Sequence, residues 1–258
     1  MCGDGVEYLR QMGPVDFIYL DPARRDEHGS RTYAIEDCTP NVLELRDLLL
    51  AKSQYTLVKL SPMLDWRKVV ADFDGTVREV HIVATGNECK ELLLVLGQQV
   101  HEEPSAPRVF CVNDNQRIDY DSAAYTQGLR IGGKPLPETK NYLYEPNASI
   151  MKAGCFDLVE ERFGVTQVGP SSHLFVSATP VADFPGRGFA IEAIGGMNKK
   201  DIKRLLNGTK QANIAVRNFP LTAPQLRKKL KLADGGPVYL FGTTMQGCDH
   251  VLLRTSKI

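Results

Sequence analysis

The chain has 258 residues, of which 43% are hydrophobic and 24% charged, the composition of an ordinary globular protein rather than a disordered or fibrous one. This length allows one large domain or two to three small ones, each with its own core. No stretch has the length and apolarity of a signal peptide or a membrane span. The six cysteines are scattered without a C-x-x-C pair, which argues against a disulfide framework or a metal site and predicts a cytoplasmic location.

Charge divides the chain into two unlike parts. From Gly195 onward there are twelve lysines and arginines against three aspartates, a net charge of +9. Residues 1–194 therefore carry 19 cations and 28 anions, a net charge of −9. A basic tail of this kind predicts contact with a polyanion, and the alternative is a set of solvated lysine-rich helix faces.

The first hundred residues alternate between strand and helix patterns. Val15–Leu20 is an apolar run that predicts a buried strand, and Thr39 with Pro40 is typical of the start of a helix. The patterns that follow predict a buried strand, a helix and two hairpin strands, at Thr56–Leu60, 64–73, Val77–Ala84 and Glu91–Gly97. This order predicts the second half of a doubly wound α/β sheet with an antiparallel final strand.

The residues after the first hundred predict smaller structural units. A hairpin is predicted around residues 108–120, and a helix from just after Asn147 to about Phe163. The last third predicts two strands that are each followed by a helix, capped by Asn198 and Thr222, and then a closing hairpin. That pattern is typical of a compact α+β domain.

The sharpest chemical signal is the string DPARR, which begins with Asp21 and Pro22 at the end of the first predicted strand. In open α/β sheets, ligands bind at the carboxyl ends of the strands. A carboxylate at that edge, next to a proline that stiffens the backbone, is suited to hold a polar group of a substrate. The alternative is that Asp21 only caps the next turn.

Several motifs together carry a family resemblance. The order GDG, VDFIYLDP, a strand ending in LSP and then a hairpin resembles motifs III to VII of class I S-adenosylmethionine-dependent methyltransferases. The strings DPARR, KLSPML, NECKELL, YLYEPNASIMKAG, DFPGR and VRNFPLTAPQLRKKLKLADGGPVYLFGTT extend the resemblance over almost the whole chain. It resembles the bacterial members of DPARR type that carry a ferredoxin-like insert and a C-terminal THUMP-like domain.

The resemblance implies a domain organisation and an activity. It implies the C-terminal half of a Rossmann-like α/β methyltransferase sheet over 1–140, a ferredoxin-like domain over 141–184 and a THUMP-like domain over 185–258. The implied activity is methylation of a base in RNA, ribosomal or transfer, with S-adenosylmethionine as cofactor. No membrane or metal partner is implied.

It also implies roles for matching residues. Asp4 and Gly5 fall where this superfamily contacts the adenine of the cofactor, although Asp4 also fits a helix N-cap. Asp21 and Pro22 would line the methyl-transfer site. The expected substrate-binding residues beside them are Arg24, Arg25, Lys59 and Ser61.

The charge pattern of the tail predicts the RNA contacts. The expected residues lie at the end of a strand or cluster on one helix, and they are Arg217, Asn218, Arg227, Lys228 and Lys231. We expect the side chains on that helix to be exposed, so that replacing Arg227, Lys228 and Lys231 should leave the fold intact.

The sequence also departs from the family pattern. Ala23 and Arg24 replace the second proline and the aromatic residue of relatives that methylate base amino groups. Lys59–Pro62 holds no cysteine, which argues against covalent uracil-C5 chemistry. The strand and Gly-rich loop that wrap the cofactor are not found, so this chain alone is expected to be inactive. The alternatives are a non-catalytic RNA-binding remnant, and a methyltransferase for proteins or small molecules.

Overall fold

The computed structural model describes residues 3–23, 35–36, 38–98, 106–125, 138, 140–247 and 249–258. The chain forms two compact units. The first contains Met1–Thr126 and Ala148–Ala153, and the second contains Gln127–Asn147 and Gly154–Ile258.

The first unit is built on a six-stranded mixed sheet. Its elements are α1 (Gly5–Gln11), β1 (Val15–Leu20), α2 (Val42–Lys52), β2 (Ser53–Leu60), α3 (Trp66–Asp72), β3 (Val77–Thr85), β4 (Glu88–Gly97), β5 (Arg108–Asn113), β6 (Gln116–Asp121) and α4 (Ala148–Ala153). The strand order is β1-β2-β4-β3-β5-β6. β1 and β2 are parallel and β4 runs antiparallel between β2 and β3, which confirms the predicted sheet with its antiparallel final strand.

One face of this sheet carries the core. In β2, Thr56, Val58 and Leu60 are buried while the residues between them are partly exposed. β4 repeats the alternation, because successive side chains in a strand point to opposite faces. Trp66 of α3 is buried, and its indole N–H donates to the carbonyl oxygen of Ala153 at 3.4 Å.

β1 differs from the prediction. Its apolar run predicted a buried strand, but Phe17 is 53% exposed and Tyr19 is 55% exposed. Tyr55, the register partner of Phe17 on β2, is 52% exposed. β1 is the edge strand, and among the described residues no element covers this side of it.

Two helix boundaries also differ from the prediction. α2 begins at Val42, with Asn41 as the N-cap that accepts from the Leu43 amide at 3.1 Å. Thr39 instead pairs its backbone with Ala23. The single helix expected to reach Phe163 is two helices, because Gly154 has a φ of +67° that ends α4.

The second unit is built on a seven-stranded sheet. Its elements are β7 (Tyr142–Pro146), α5 (Phe156–Phe163), β8 (Thr166–Gln167), β9 (Phe175–Ser177), β10 (Gly186–Gly195), α6 (Lys199–Leu206), β11 (Asn213–Arg217), α7 (Ala223–Leu230), β12 (Val238–Thr244) and β13 (His250–Lys257). The strand order is β11-β12-β13-β10-β7-β9-β8.

The caps of this unit form as predicted. The Asn198 side chain accepts from the Asp201 amide at 2.9 Å, and Thr222 forms a capping box with Gln225. Below the two helices, Leu205 and Leu226 are fully buried in one apolar cluster. Among the described residues, no helix combines the length and apolarity needed to cross a membrane.

Candidate functional site

Asp21 and Lys59 meet at the carboxyl edge of the first sheet. Asp21 directly follows β1, and Lys59 is the penultimate residue of β2. Since β1 and β2 are parallel, both residues come to the same edge, and the Lys59 Nζ donates to the Asp21 Oδ2 at 2.9 Å. The Asp21 side chain is 43% exposed, so the ion pair is open to a ligand.

Glu91 on β4 completes this cluster, and its carboxylate lies 3.8 Å from the Lys59 Nζ. The hydrogen bond from Lys59 to Asp21, followed by the charge of Glu91, raises the pKa of the Lys59 ammonium. Lys59 therefore stays protonated well above neutral pH. It can supply positive charge and hydrogen bonds at this edge, but it cannot act as a base near pH 7.

The other predicted residues at this edge differ in their surroundings. Pro22 is buried, and the Ala23 amide donates to the Thr39 carbonyl oxygen at 2.8 Å, which holds the chain just after Asp21. Ser61 is partly exposed, and its hydroxyl accepts from the Met63 amide at 3.3 Å. The predicted substrate contacts of Arg24 and Arg25 lie outside the described residues.

Asp4 is the N-cap of α1. Its Oδ1 accepts from the amides of Val6 at 2.7 Å and Glu7 at 3.0 Å, and Gly5 is the first residue of the helix. The amides of Glu7 and Val6 lower the pKa of the Asp4 carboxyl. Contact between Asp4 or Gly5 and a cofactor stays a prediction.

A groove of about 860 Å³ opens elsewhere on the first unit. Its lining includes Val15, Gln54 and Gly97, which lie at the amino ends of β1 and β2 and the carboxyl end of β4. This is the sheet edge opposite Asp21 and Lys59. The groove is therefore separate from the candidate site.

The basic residues of the tail fall into two groups. The four arginines make structural contacts, as Arg227 shows: it donates to the carbonyl oxygens of Ala212 and Ala233 and pairs with Asp234 at 2.6 Å. The Arg227 side chain is only 26% exposed, so the expectation that it lies free on the surface was wrong. Its guanidinium ties the end of α7 to neighbouring loops.

The lysines are different. All eight lysines from Gly195 onward are exposed, and no ion pair or side-chain hydrogen bond is found for them within the part of the chain that the structure describes. Lys228 and Lys231 are among them. Their charges have no partner among the described residues and are available to a polyanion.

Sequence reasoning missed Glu91, as well as Glu145 and Arg187 of the second unit. Glu91 stands in the string NECKELL, directly before the continuous apolar run 92–96 of a predicted strand, and a charged residue at the start of such a run is a usable signal. Arg187 is the second residue of β10 and lies between two glycines, a pattern that gives no sign of a buried partner. Among the described residues, no cluster suited to a metal ion is found.

Known proteins resemble different parts of the chain. Residues 142–185 match a family described as a ferredoxin-like domain, and residues 186–257 match one described as THUMP domain-like. No curated protein sequence matches. The chain is also similar to a crystal structure of a "putative methyltransferase from Porphyromonas gingivalis W83", at 35% identity and a TM-score of 0.86, over 99% of this chain.

The chain spans 63% of the length of that P. gingivalis protein. Most of the ferredoxin-like match and all of the THUMP-like match lie in the second unit, and the predicted α/β fold class with small α+β domains is confirmed.

Proposed function

We propose that this chain is the substrate-facing part of an S-adenosylmethionine-dependent methyltransferase that acts on a base in RNA. The observation that carries the proposal is the Asp21–Lys59 ion pair at the carboxyl edge of two parallel strands. Ligands bind at that edge in open α/β sheets. The similarity to the P. gingivalis protein and the THUMP-like domain support the methyl-transfer and RNA parts of the proposal.

The described residues of the first unit are suited to contact one side of S-adenosylmethionine. Asp4 uses only Oδ1 to cap α1, which leaves Oδ2 for the adenine contact that the resemblance implies. Tyr19 and Phe17, exposed on the strand that leads to Asp21, offer an apolar surface. S-adenosylmethionine, when bound, supplies an activated methyl group for direct displacement.

Asp21 and Lys59 would then position the substrate. The Asp21 carboxylate accepts a hydrogen bond from the polar group to be methylated, and the protonated Lys59 keeps that carboxylate in place. Holding reactants in a near-attack geometry accounts for much of the rate enhancement in such transfers. Lys59 is therefore a positioning residue rather than a base.

A second candidate is a non-catalytic RNA-binding protein. The eight exposed lysines of the tail favour it, because they can bind phosphates whether or not a methyl group is transferred. The two candidates differ in one respect, which is whether a methyl donor binds.

Methyl transfer from labelled S-adenosylmethionine to ribosomal and transfer RNA tests the proposal. The assay uses this chain alone and joined to the part of the P. gingivalis protein that it does not match. We expect incorporation only in the joined protein, because the sequence here lacks a Gly-rich cofactor loop. Absence of incorporation, together with retained RNA binding, would favour the non-catalytic candidate.

Calorimetric titration of this chain alone adds a second measurement. We expect its dissociation constant for S-adenosylmethionine to be weaker than about 10 μM, a binding free energy of about −7 kcal/mol. Tighter binding would mean that the described residues already provide most of the cofactor site.

A further inference from the structure

Glu145 of the ferredoxin-like domain binds two arginines of the THUMP-like domain. Its side chain is 5% exposed, and Arg187, its register partner on β10, donates to Oε2 from Nε at 3.0 Å and from Nη2. Arg217, at the end of β11, donates from Nη2 to Oε1 at 3.0 Å. A carboxylate this deeply buried requires such partners, and the three side chains together keep a net charge of +1.

The two arginines converge because the sheet curls. Three strands separate β11 from β7, which in a flat sheet would place Arg217 and Glu145 about 19 Å apart. The rings of Phe189 and Phe241, two strands apart, lie with centroids 4.9 Å from each other, which indicates the same curvature. Arg187 and Arg217 therefore meet on the concave face.

Both guanidinium groups keep donors for a ligand. The Arg187 side chain is 44% exposed and that of Arg217 is 39% exposed, while the carboxylate that holds them is buried. Each guanidinium has five N–H donors, of which Glu145 takes two from Arg187 and one from Arg217. Two fixed arginines with outward donors are suited to bind an oxyanion.

Unpaired polar atoms surround Arg217. Within the described part of the chain, no hydrogen-bond partner is found for the buried atoms Arg217 Nε, His173 Nδ1 and Thr243 Oγ1. Thr243 is fully buried and is the register partner of Arg217, so the two side chains share a face. Burial, followed by the charge of Arg217, lowers the pKa of His173, so its ring is neutral at pH 7.

The backbone beside these atoms is held in a rare conformation. Ser171, His173 and Asn218 all have φ between +47° and +56°, in the left-handed region. The Asn218 Nδ2 donates to the Pro170 carbonyl oxygen at 2.8 Å and so links the two segments. Clustered backbone strain of this kind is common at ligand-binding sites.

We propose that Arg187 and Arg217, held by Glu145, form a phosphate-binding site shared by the ferredoxin-like and THUMP-like domains. Its biological ligand is a backbone phosphate of RNA, and that identification rests on the proposed function. The phosphate oxygens bind the outward guanidinium donors. Thr243 and His173 provide further polar atoms next to Arg217.

Arginine side-chain NMR on the full 258-residue chain tests the site. The Nε–Hε signals of Arg187 and Arg217 should shift on titration with inorganic phosphate and with a short structured RNA, but not with adenosine. Arg217→Lys and Arg187→Lys keep a cation beside Glu145 but lose the planar fork. We expect each to weaken phosphate binding about tenfold, whereas the matched control Arg10→Lys, at an exposed arginine of α1 outside the site, should not.

The outcomes separate the site from the proposed function. If RNA binds without shifting the two arginine signals, the site is wrong while RNA binding stands. If phosphate shifts them but RNA does not bind, the site takes a free or small-molecule phosphate and the RNA proposal fails. If neither titrant shifts them in a protein that thermal unfolding shows to be folded, the site is wrong. Unchanged affinity in both lysine variants would also overturn it.

Discussion

Each of the two sheets has a pair of parallel strands at one edge, β1–β2 in the first unit and β11–β12 in the second. The edge strand β11 packs against α7, whose Leu226 is fully buried. The edge strand β1 instead exposes Phe17 and Tyr19. The two pairs share their topology and differ in what covers them.

The difference leaves an apolar surface on the β1 side of the first sheet that no described element covers. Burying a side chain such as Phe17 stabilises a protein by about 1.5–3 kcal/mol, which is large against a total stability of about 5–15 kcal/mol. Contiguous exposed aromatic residues on a sheet commonly mark a surface that binds another structural element.

The largest expected effect is on the free energy of unfolding, and it compares the covered edge strand β11 with the exposed edge strand β1. Leu226→Ala should lower the free energy of unfolding by about 2–5 kcal/mol, because it leaves a cavity beneath α7. Phe17→Ala in the same chain should cost less than about 0.5 kcal/mol, because its ring already contacts water. Denaturant unfolding measures both. A loss above 2 kcal/mol for Phe17→Ala would show that this side of β1 is covered in solution.

The second-largest expected effect is on the rate of methyl transfer, and it concerns the carboxyl end of β1. In the joined enzyme described above, Asp21→Asn should lower methyl transfer about a hundredfold, the scale of losing a positioning contact. Asp16→Asn is the matched control, because Asp16 lies on the same strand and, within the described residues, accepts a side-chain hydrogen bond from Gln54 alone, at 3.3 Å. If the Asp21 variant keeps methyl-transfer activity within a few-fold of the control, Asp21 serves merely to cap the turn after β1.

The smallest expected effect is on the salt dependence of RNA binding, and it concerns α7, the helix that covers β11. If about five tail cations contact phosphate, the log–log slope of RNA affinity against salt should be near −3.5 for single strands. The double variant Lys228→Gln and Lys231→Gln should make this slope less negative by about 1.4. Arg227 is left in place because it holds backbone carbonyls. Gel shifts at two salt concentrations measure the slope.

Lys210→Gln with Lys257→Gln removes the same charge from exposed positions outside that helix. An equal flattening by both pairs would mean that α7 has no special role. A salt-independent affinity would contradict RNA binding by charge altogether.

The sequence predicted the succession of strands and helices, and caps such as Asn198 and Thr222, better than burial. Caps such as Thr222 depend on neighbours three residues away, so local pattern is sufficient. The burial of β1 depends on what lies against it, and an apolar run cannot reveal whether that neighbour is present. The exposure of Arg227 was misjudged for the same reason, since charge alone does not show which carbonyl oxygens a guanidinium reaches.

The candidate site was predicted in part. Asp21 and Lys59 were both predicted as site residues, Asp21 from its place at the end of a strand pattern and Lys59 from the family resemblance. Glu145 and Arg217 are 72 residues apart, and only the curl of the sheet brings them together. No local motif encodes such a contact.

The path of the chain through α4 has a consequence for modularity. The polypeptide leaves the first unit, forms β7 of the second, returns to the first as α4 and then continues into the second as α5. Ile150 and Ala153 of α4 are fully buried, so the first unit includes a segment that lies inside the sequence of its neighbour. No single cut separates the two units intact. A deletion of one unit at a single breakpoint would therefore either leave a segment of that unit behind or remove a segment of the other.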